Sequence, residues 1–273
     1  MIPASFEYTK ASSLEAAIAA LVSGDAKILA GGHSLVPAMK LRLNLSEKLV
    51  DISKLEELKG IKIEDGEIVI GAGCTHSVIA NNTVIQEHLG FFANGASHIG
   101  DVQVRNHGTI GGSLAHADPS ADWPAMVLAA NATIEVQGTA GKRRIPAIDF
   151  FQGLFTTALA EDEIITAVRI PLPQKGEAGV YLKFAQPASR FAIVGCAVVK
   201  PVSGPVRIAF NGVSDTPFRA KAAEHAFQSE GIEAAVAKAV EGVDNIMADH
   251  YASESYRRHL AGVYLRKALE AVA

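Results

Sequence analysis

The sequence predicts an α+β protein that opens with an α/β unit. Three observations carry this expectation. Helical and extended hydrophobic periods alternate through the first 55 residues; period-two segments dominate the middle; helical spacing takes over towards the C-terminal end. With 273 residues, 49% of them hydrophobic, the chain can bury one large core or two to three small ones.

In residues 1–55, Ser12-x-x-Glu15 reads as a capping box, and Leu14, Ala17, Ile18 and Leu21 follow at helical spacing. Lys27-Ile28-Leu29-Ala30 reads as a short buried strand that stops at Gly31-Gly32. Pro37 is placed to open a short helix through Leu43, since proline is tolerated in a first turn. Leu49-Val50-Asp51-Ile52 reads as another strand. Residues 56–173 form the next unit. Glu67 to Gly73 and Ala132 to Val136 alternate at period two, with a helix-like stretch near 76–89 and a second glycine turn at 108–112 between them. Pro171-Leu172-Pro173 ends this run, and Gln174–Gly179 reads as a linker. Residues 178–273 make the last unit. Val180–Phe184, Ile193–Lys200 and Val206–Val213 are strand-like, and Ile232–Val240 and Tyr256–Val272 are helical.

Several classes are excluded. The net charge is -4 with both signs interspersed, so no basic stripe suits nucleic acid. The apolar runs are too short to span a bilayer, and MIPASFEYTK lacks a secretory pattern, so the cytoplasm is the expected compartment. Two cysteines, Cys74 and Cys196, cannot build a disulfide scaffold or ligate an iron–sulfur cluster alone; buried reduced thiols are expected. His98, His107 and His116 are irregularly spaced with no H-x-x-x-H or C-x-x-C, so no metal site is expected.

The informative segments are two glycine turns. Ala30-Gly31-Gly32-His33-Ser34-Leu35 follows a strand, where adjacent glycines allow positive φ and bare one surface of side chains. Consecutive N–H groups there can converge on an anion. Thr109-Ile110-Gly111-Gly112-Ser113-Leu114-Ala115 repeats the pattern. Two such turns can grip the two phosphates of a dinucleotide. Neither is a G-x-G-x-x-G fingerprint or a G-x-x-x-x-G-K-[ST] loop, and the spacing alone names no ligand.

The two turns, extended to Lys40 and to Ala117-Asp118-Pro119-Ser120-Ala121-Asp122, closely resemble the FAD-binding medium subunit of the xanthine dehydrogenase and carbon monoxide dehydrogenase family. Phe150-Phe151-Gln152-Gly153 and Tyr256-Arg257-Arg258-His259-Leu260 extend the resemblance over nearly the whole chain. It implies a vanillyl-alcohol-oxidase-type fold with a C-terminal three-stranded antiparallel sheet and helical bundle. It also implies non-covalent FAD and electron transfer with no catalytic side chain. Molybdopterin is then expected on a large partner subunit and [2Fe–2S] clusters on a small one, in a dimer of heterotrimers. NAD, a quinone or oxygen would accept the electrons, in the cytoplasm or at the inner face of the membrane.

Residue by residue, the resemblance implies that Leu29, Ala30, Gly31, Gly32, His33, Ser34 and Leu35, with Thr109, Ile110, Gly111, Gly112 and Ser113, cradle the pyrophosphate, mostly through main-chain N–H groups. Ile99 and Gly100 are expected near the cofactor, Asp122 as an acceptor from it, Ile165 against the ring, and Lys183 beside the flavin. Phe191 would cover a flavin face, while Arg190 stands where many relatives carry an acid. His33 is expected to pack locally, and Tyr256-Arg257-Arg258 to form a packed, partly solvated helix face. Two other readings stay open: a self-sufficient flavin oxidase of the same fold, and a non-enzymatic protein whose glycine turns only shape a surface.

Overall fold

The computed structural model describes residues 2–273. The N-terminal part runs β1 (Glu7–Lys10), α1 (Leu14–Val22), β2 (Ala26–Leu29), α2 (Leu35–Lys40) and β3 (Lys48–Asp51). The strands form a parallel sheet in the order β1-β3-β2. Crossovers between parallel strands need helices, and α1 supplies one by burying Leu14, Ala17 and Ile18 with Val50 and Ile52. Ser13, not Ser12, caps α1: Ala11 N–H still donates to Asp51 O, which holds the chain extended for one more residue. Likewise α2 ends at Lys40 rather than Leu43. Arg42 turns left-handed (φ 59°), and Leu43 and Arg42 donate back to the Ala38 and Met39 carbonyls, a Schellman closure.

A 3₁₀ turn, Glu56–Leu58, leads into β4 (Ile61–Glu64) and β5 (Glu67–Gly71). Six helices follow: α3 (His76–Asn81), α4 (Thr83–His88), α5 (Gly90–Ser97), α6 (Val102–His107), α7 (Ile110–His116) and α8 (Trp123–Ala129). The helix-like stretch at 76–89 is broken at Asn82, whose side chain caps α4 by accepting from Ile85 N–H. Then come β6 (Thr133–Gly138), β7 (Gly141–Pro146), α9 (Ala147–Phe150), the short hairpin β8 (Phe151–Gly153) and β9 (Thr156–Thr157), and β10 (Ile164–Pro171). The main sheet is antiparallel, in the order β4-β5-β10-β6-β7, so the last strand slots between the earlier ones. Its inner face packs Ile68, Ile70, Ile134, Val136, Val168 and Ile170 with Phe92, Leu114 and Trp123. Its outer face carries Arg169, bonded to Glu135 and Glu67. Alternation at period two separates those faces.

The C-terminal part is a meander of β11 (Ala178–Ala185), β12 (Ala192–Lys200), β13 (Arg207–Asn211) and β14 (Phe218–Arg219), followed by α10 (Lys221–Glu230), α11 (Ile232–Ala237) and α12 (Glu254–Val272). The three long strands match the sequence reading. The two-residue β14 is an added edge that carries too few residues to show a period. This sheet is covered on both sides. Val194, Cys196, Val198 and Phe210 meet Leu260, Leu265 and Leu269 of α12, while Ala197, Val199 and Ala209 join the middle core. That explains the unbroken apolar run of β12. Arg257 of α12 is buried and donates to the Ile193 and Gly212 carbonyls and to Asp249, fastening the helix to the sheet. Both cysteines are free and buried, and burial raises both thiol pKa values. Among the described residues, no helix is long and apolar enough to cross a membrane.

Candidate functional site

A cleft of about 1160 Å³ runs between the N-terminal and middle parts, with Ser189, Arg190 and Phe191 of the C-terminal part on its lip. Ordinary small-molecule pockets span roughly 300–1,000 Å³, so the cleft suits a ligand larger than most. Both glycine turns line it.

In the first turn, Gly32 adopts φ 70°, which costs a side-chain-bearing residue about 1–2 kcal/mol. Gly31 is required for another reason. A Cβ there would lie 2.1 Å from the His107 carbonyl oxygen, so the two turns touch backbone to backbone. The N–H groups of Gly31, Gly32, His33, Ser34 and Leu35 have no acceptor among the described residues. A row of unpaired amides at a strand end is the donor set an anionic phosphate needs. His33 is packed locally, as expected: its Nδ1 lies 2.9 Å from Gly31 O, and its ring stacks on His107 with centroids 5.3 Å apart.

The second turn corrects the sequence reading. Thr109 is the N-cap of α7, so Gly111 and Gly112 lie inside a helix and neither has positive φ. Its amides from Ile110 to Ser113 are spent within the protein. Ile110 N–H donates to Cys74 O (3.1 Å), Gly111 N–H to Ala72 O (2.9 Å), Gly112 N–H to Thr109 Oγ1 (3.1 Å) and Ser113 N–H to Thr109 O (3.0 Å). Of the anticipated main-chain cradle only the Thr109 N–H has no acceptor among the described residues; otherwise this turn offers bare surface at Gly112 and the Ser113 hydroxyl. Ile110 is fully buried and does not line the cleft.

Of the other anticipated residues, Ile99, Gly100, Asp122, Ile165 and Phe191 line the cleft, as do Leu29, Ala30, Gly31, Gly32, His33, Ser34, Leu35, Thr109, Gly111, Gly112 and Ser113. Lys183 does not. Its ammonium donates to Asp122 Oδ2 (2.9 Å), His98 O (3.0 Å) and Arg190 O (2.9 Å), which uses all three of its protons behind the wall. Lys183 thereby ties the His98–Gly100 loop and the Arg190–Phe191 loop to one strand. Asp122 also accepts from the Tyr181 hydroxyl at 2.5 Å. Burial pushes the Asp122 carboxyl above the usual carboxylate range, against the pull of Lys183 and Tyr181. Burial, then the Asp122 charge, drives the Tyr181 phenol well above its ordinary 10.

Sequence reasoning missed Phe155 and His76. Phe155 lines the cleft at the β8–β9 turn with φ 52° and packs on His116, ring centroids 5.1 Å apart. No local signal marks an aromatic residue for a left-handed backbone. His76, also on the wall, follows Thr75 at the start of a helix, where its cap neighbour was the only cue.

A large cleft floored by unpaired amides, with charged and aromatic groups on its lips, defines a protein that binds a phosphate-bearing cofactor. Comparison with known proteins makes this specific. Residues 4–173 match the FAD binding domain in molybdopterin dehydrogenase, and residues 180–272 match the CO dehydrogenase flavoprotein C-terminal domain. The chain belongs to this family of FAD-binding medium chains. It is 37% identical to the carbon monoxide dehydrogenase medium chain of Hydrogenophaga pseudoflava, over 99% of this chain and 98% of that one. It is 34% identical to the glyceraldehyde dehydrogenase medium chain of Sulfolobus acidocaldarius, over the full length of both. Among solved structures, a carbon monoxide dehydrogenase from Hydrogenophaga pseudoflava lacking the Mo-pyranopterin moiety of its cofactor superposes with a TM-score of 0.95 at 39% identity, covering 100% of this chain and 98% of that one. The α+β expectation and the family resemblance both stand.

Proposed function

We propose that this chain is the FAD-carrying electron-transfer subunit of a molybdenum hydroxylase. The observation that carries the reading is the row of unpaired amides from Gly31 to Leu35, opposed by the bare surface of Gly112. FAD, when bound, supplies a centre that accepts electrons singly and releases them in pairs. The protein's own residues do the rest. The amides of residues 31–35 and the Ser113 hydroxyl hold the diphosphate. Ile99, Gly100, Ile165 and Phe191 shape the slot for the ring. Asp122 accepts from the cofactor with its remaining lone pairs, and Lys183 acts as a positioning residue through Asp122 and the two loops it ties.

Electrons arrive from [2Fe–2S] clusters on a small partner subunit, after oxidation at a molybdopterin centre on a large one, in a dimer of heterotrimers. They leave to NAD, a quinone or oxygen. The division into units 1–55, 56–173 and 178–273 goes with this reading and is supported by their separate sheets. Two relatives named for carbon monoxide and for glyceraldehyde are similarly close, which fits a substrate chosen outside this chain.

The test is to load the purified chain with FAD and then add the co-purifying subunits. The expected result is one flavin per chain, released by acid, and reduced by organic substrate only when the partners are present. Turnover of a substrate by the chain alone would establish a self-sufficient oxidase. A chain that takes up no FAD, and is not thermally stabilised by it, would establish a non-enzymatic role.

A further inference from the structure

His76 has no part in the roles given above, yet it is built with care. It is the first residue of α3 and only 4% exposed. The Trp123 indole nitrogen lies 3.1 Å from His76 Nδ1, and an indole N–H can only donate. Nδ1 is therefore the acceptor, and the neutral ring carries its proton on Nε2. Trp123 is fully buried, so this tautomer is locked by packing. Burial, with His33 and Arg105 as like-charged neighbours, holds the His76 pKa down to about 3, which keeps the ring neutral.

Nε2 is aimed at the cleft wall between the two turns. It lies 2.7 Å from the position that a Cβ on Gly108 would occupy, and Gly108 itself touches the first turn below Gly31. Glycine at 108 thus keeps a window open in front of the ring. No residue among those described accepts from Nε2. The ring is 4% exposed and lines the cleft, so the fixed Nε2–H is left for whatever occupies that space.

We infer that His76 is an uncharged donor to the diphosphate of the bound flavin nucleotide, presented through the Gly108 window, with Trp123 as the positioning residue that sets its tautomer. This rests on the FAD reading above. It adds a donor to the second-turn side of the cleft, where the amides from Ile110 to Ser113 are already committed.

The test uses the full-length chain stripped of flavin and titrated with FAD and with ADP. His76→Asn keeps an acceptor for Trp123 but loses the distal donor; His76→Gln keeps a distal N–H. The Asn variant is expected to bind both ligands about 10- to 100-fold more weakly, the scale of a hydrogen bond to a charged group, with the Gln variant closer to wild type. Phosphorus NMR resonances of bound FAD should move in the Asn variant while the flavin absorption bands stay put. Gly108→Ala, whose Cβ would meet His76 Nε2 at 2.7 Å and so cover or displace the ring, should weaken both ligands too. Unchanged affinity in His76→Asn, or equal losses in Asn and Gln with unmoved phosphorus resonances, overturns the inference and leaves the FAD reading intact. A wild-type chain that binds neither FAD nor ADP overturns both.

Discussion

After Ala30 the backbone bends at Gly32 into the left-handed region and leaves the amides of residues 31–35 facing the cleft. After Thr109 it enters a helix, and every amide from Ile110 to Ser113 is bonded within the protein. The two segments read alike, a β-strand or β-branched approach, paired glycines and a small hydroxyl. They differ because only the second has acceptors within reach, the carbonyls of Ala72 and Cys74 and the Thr109 side chain. A glycine pair therefore signals that side chains are unwelcome. Whether its N–H groups are free is decided by what packs behind it.

Substitutions can break or sharpen this contrast. The largest effect is expected from Gly31→Ala, because the new Cβ would meet backbone rather than a movable side chain at 2.1 Å. A loss of about 3 kcal/mol or more in unfolding free energy is expected, with FAD binding abolished; urea titration and flavin content measure the two. Retained flavin at wild-type stability would mean that the turns are not in contact.

Next comes a pair of neighbours with opposite expectations. Gly111→Ala puts a Cβ 2.6 Å from Ala72 Cβ and 2.9 Å from Ala72 O, so stability should fall by about 1–3 kcal/mol while the folded protein keeps most of its FAD affinity. Gly112→Ala meets only the Thr109 hydroxyl within 3 Å and gains up to about 1 kcal/mol of helix propensity. Its methyl faces the cleft, so FAD affinity should fall about tenfold while the melting temperature holds. The reverse pattern would assign the wrong glycine to the ligand.

The smallest effect comes from pH. His76 N–H donates to Gly108 O and so braces the residue that leads into the second turn. Its folded pKa, about 3, lies below the ordinary 6.5, so the unfolded chain binds the proton first. Its contribution is fully present above about pH 6.5 and declines as pH falls towards 3. Between about pH 7 and about pH 5.5 it should amount to about 1 kcal/mol. In His76→Gln that part of the pH dependence of stability should vanish; an unchanged slope would show that His76 titrates normally.

Much of the fold was legible because its signals are local. The alternation of β6, the helical spacing of α12 and the proline stop after β10 each depend on a few neighbouring residues. Where the reading slipped, longer-range bonds intervened. Asp51 accepts from Ala11 N–H and moves the α1 cap to Ser13. Most of the anticipated cleft residues do line the cleft, since the motifs that carry the family resemblance surround it. The exceptions, Ile110 and Lys183, are residues whose partners lie far off in sequence. Phe155 and His76 were invisible for the same reason: a strained aromatic and a tautomer set by Trp123, 47 residues away, leave no periodic trace.

Sequence by itself determined which stretches are strand or helix, and which surface positions carry no side chain, because steric and hydrophobic-period preferences act within one or two turns of chain. Only the tertiary structure decided which polar groups are left to bind a ligand. Lys183 donates a hydrogen bond to His98 O, 85 residues away, and the Gly111 N–H donates to Ala72 O. Each group has few donors, and the one spent on a distant acceptor is no longer available to the cleft.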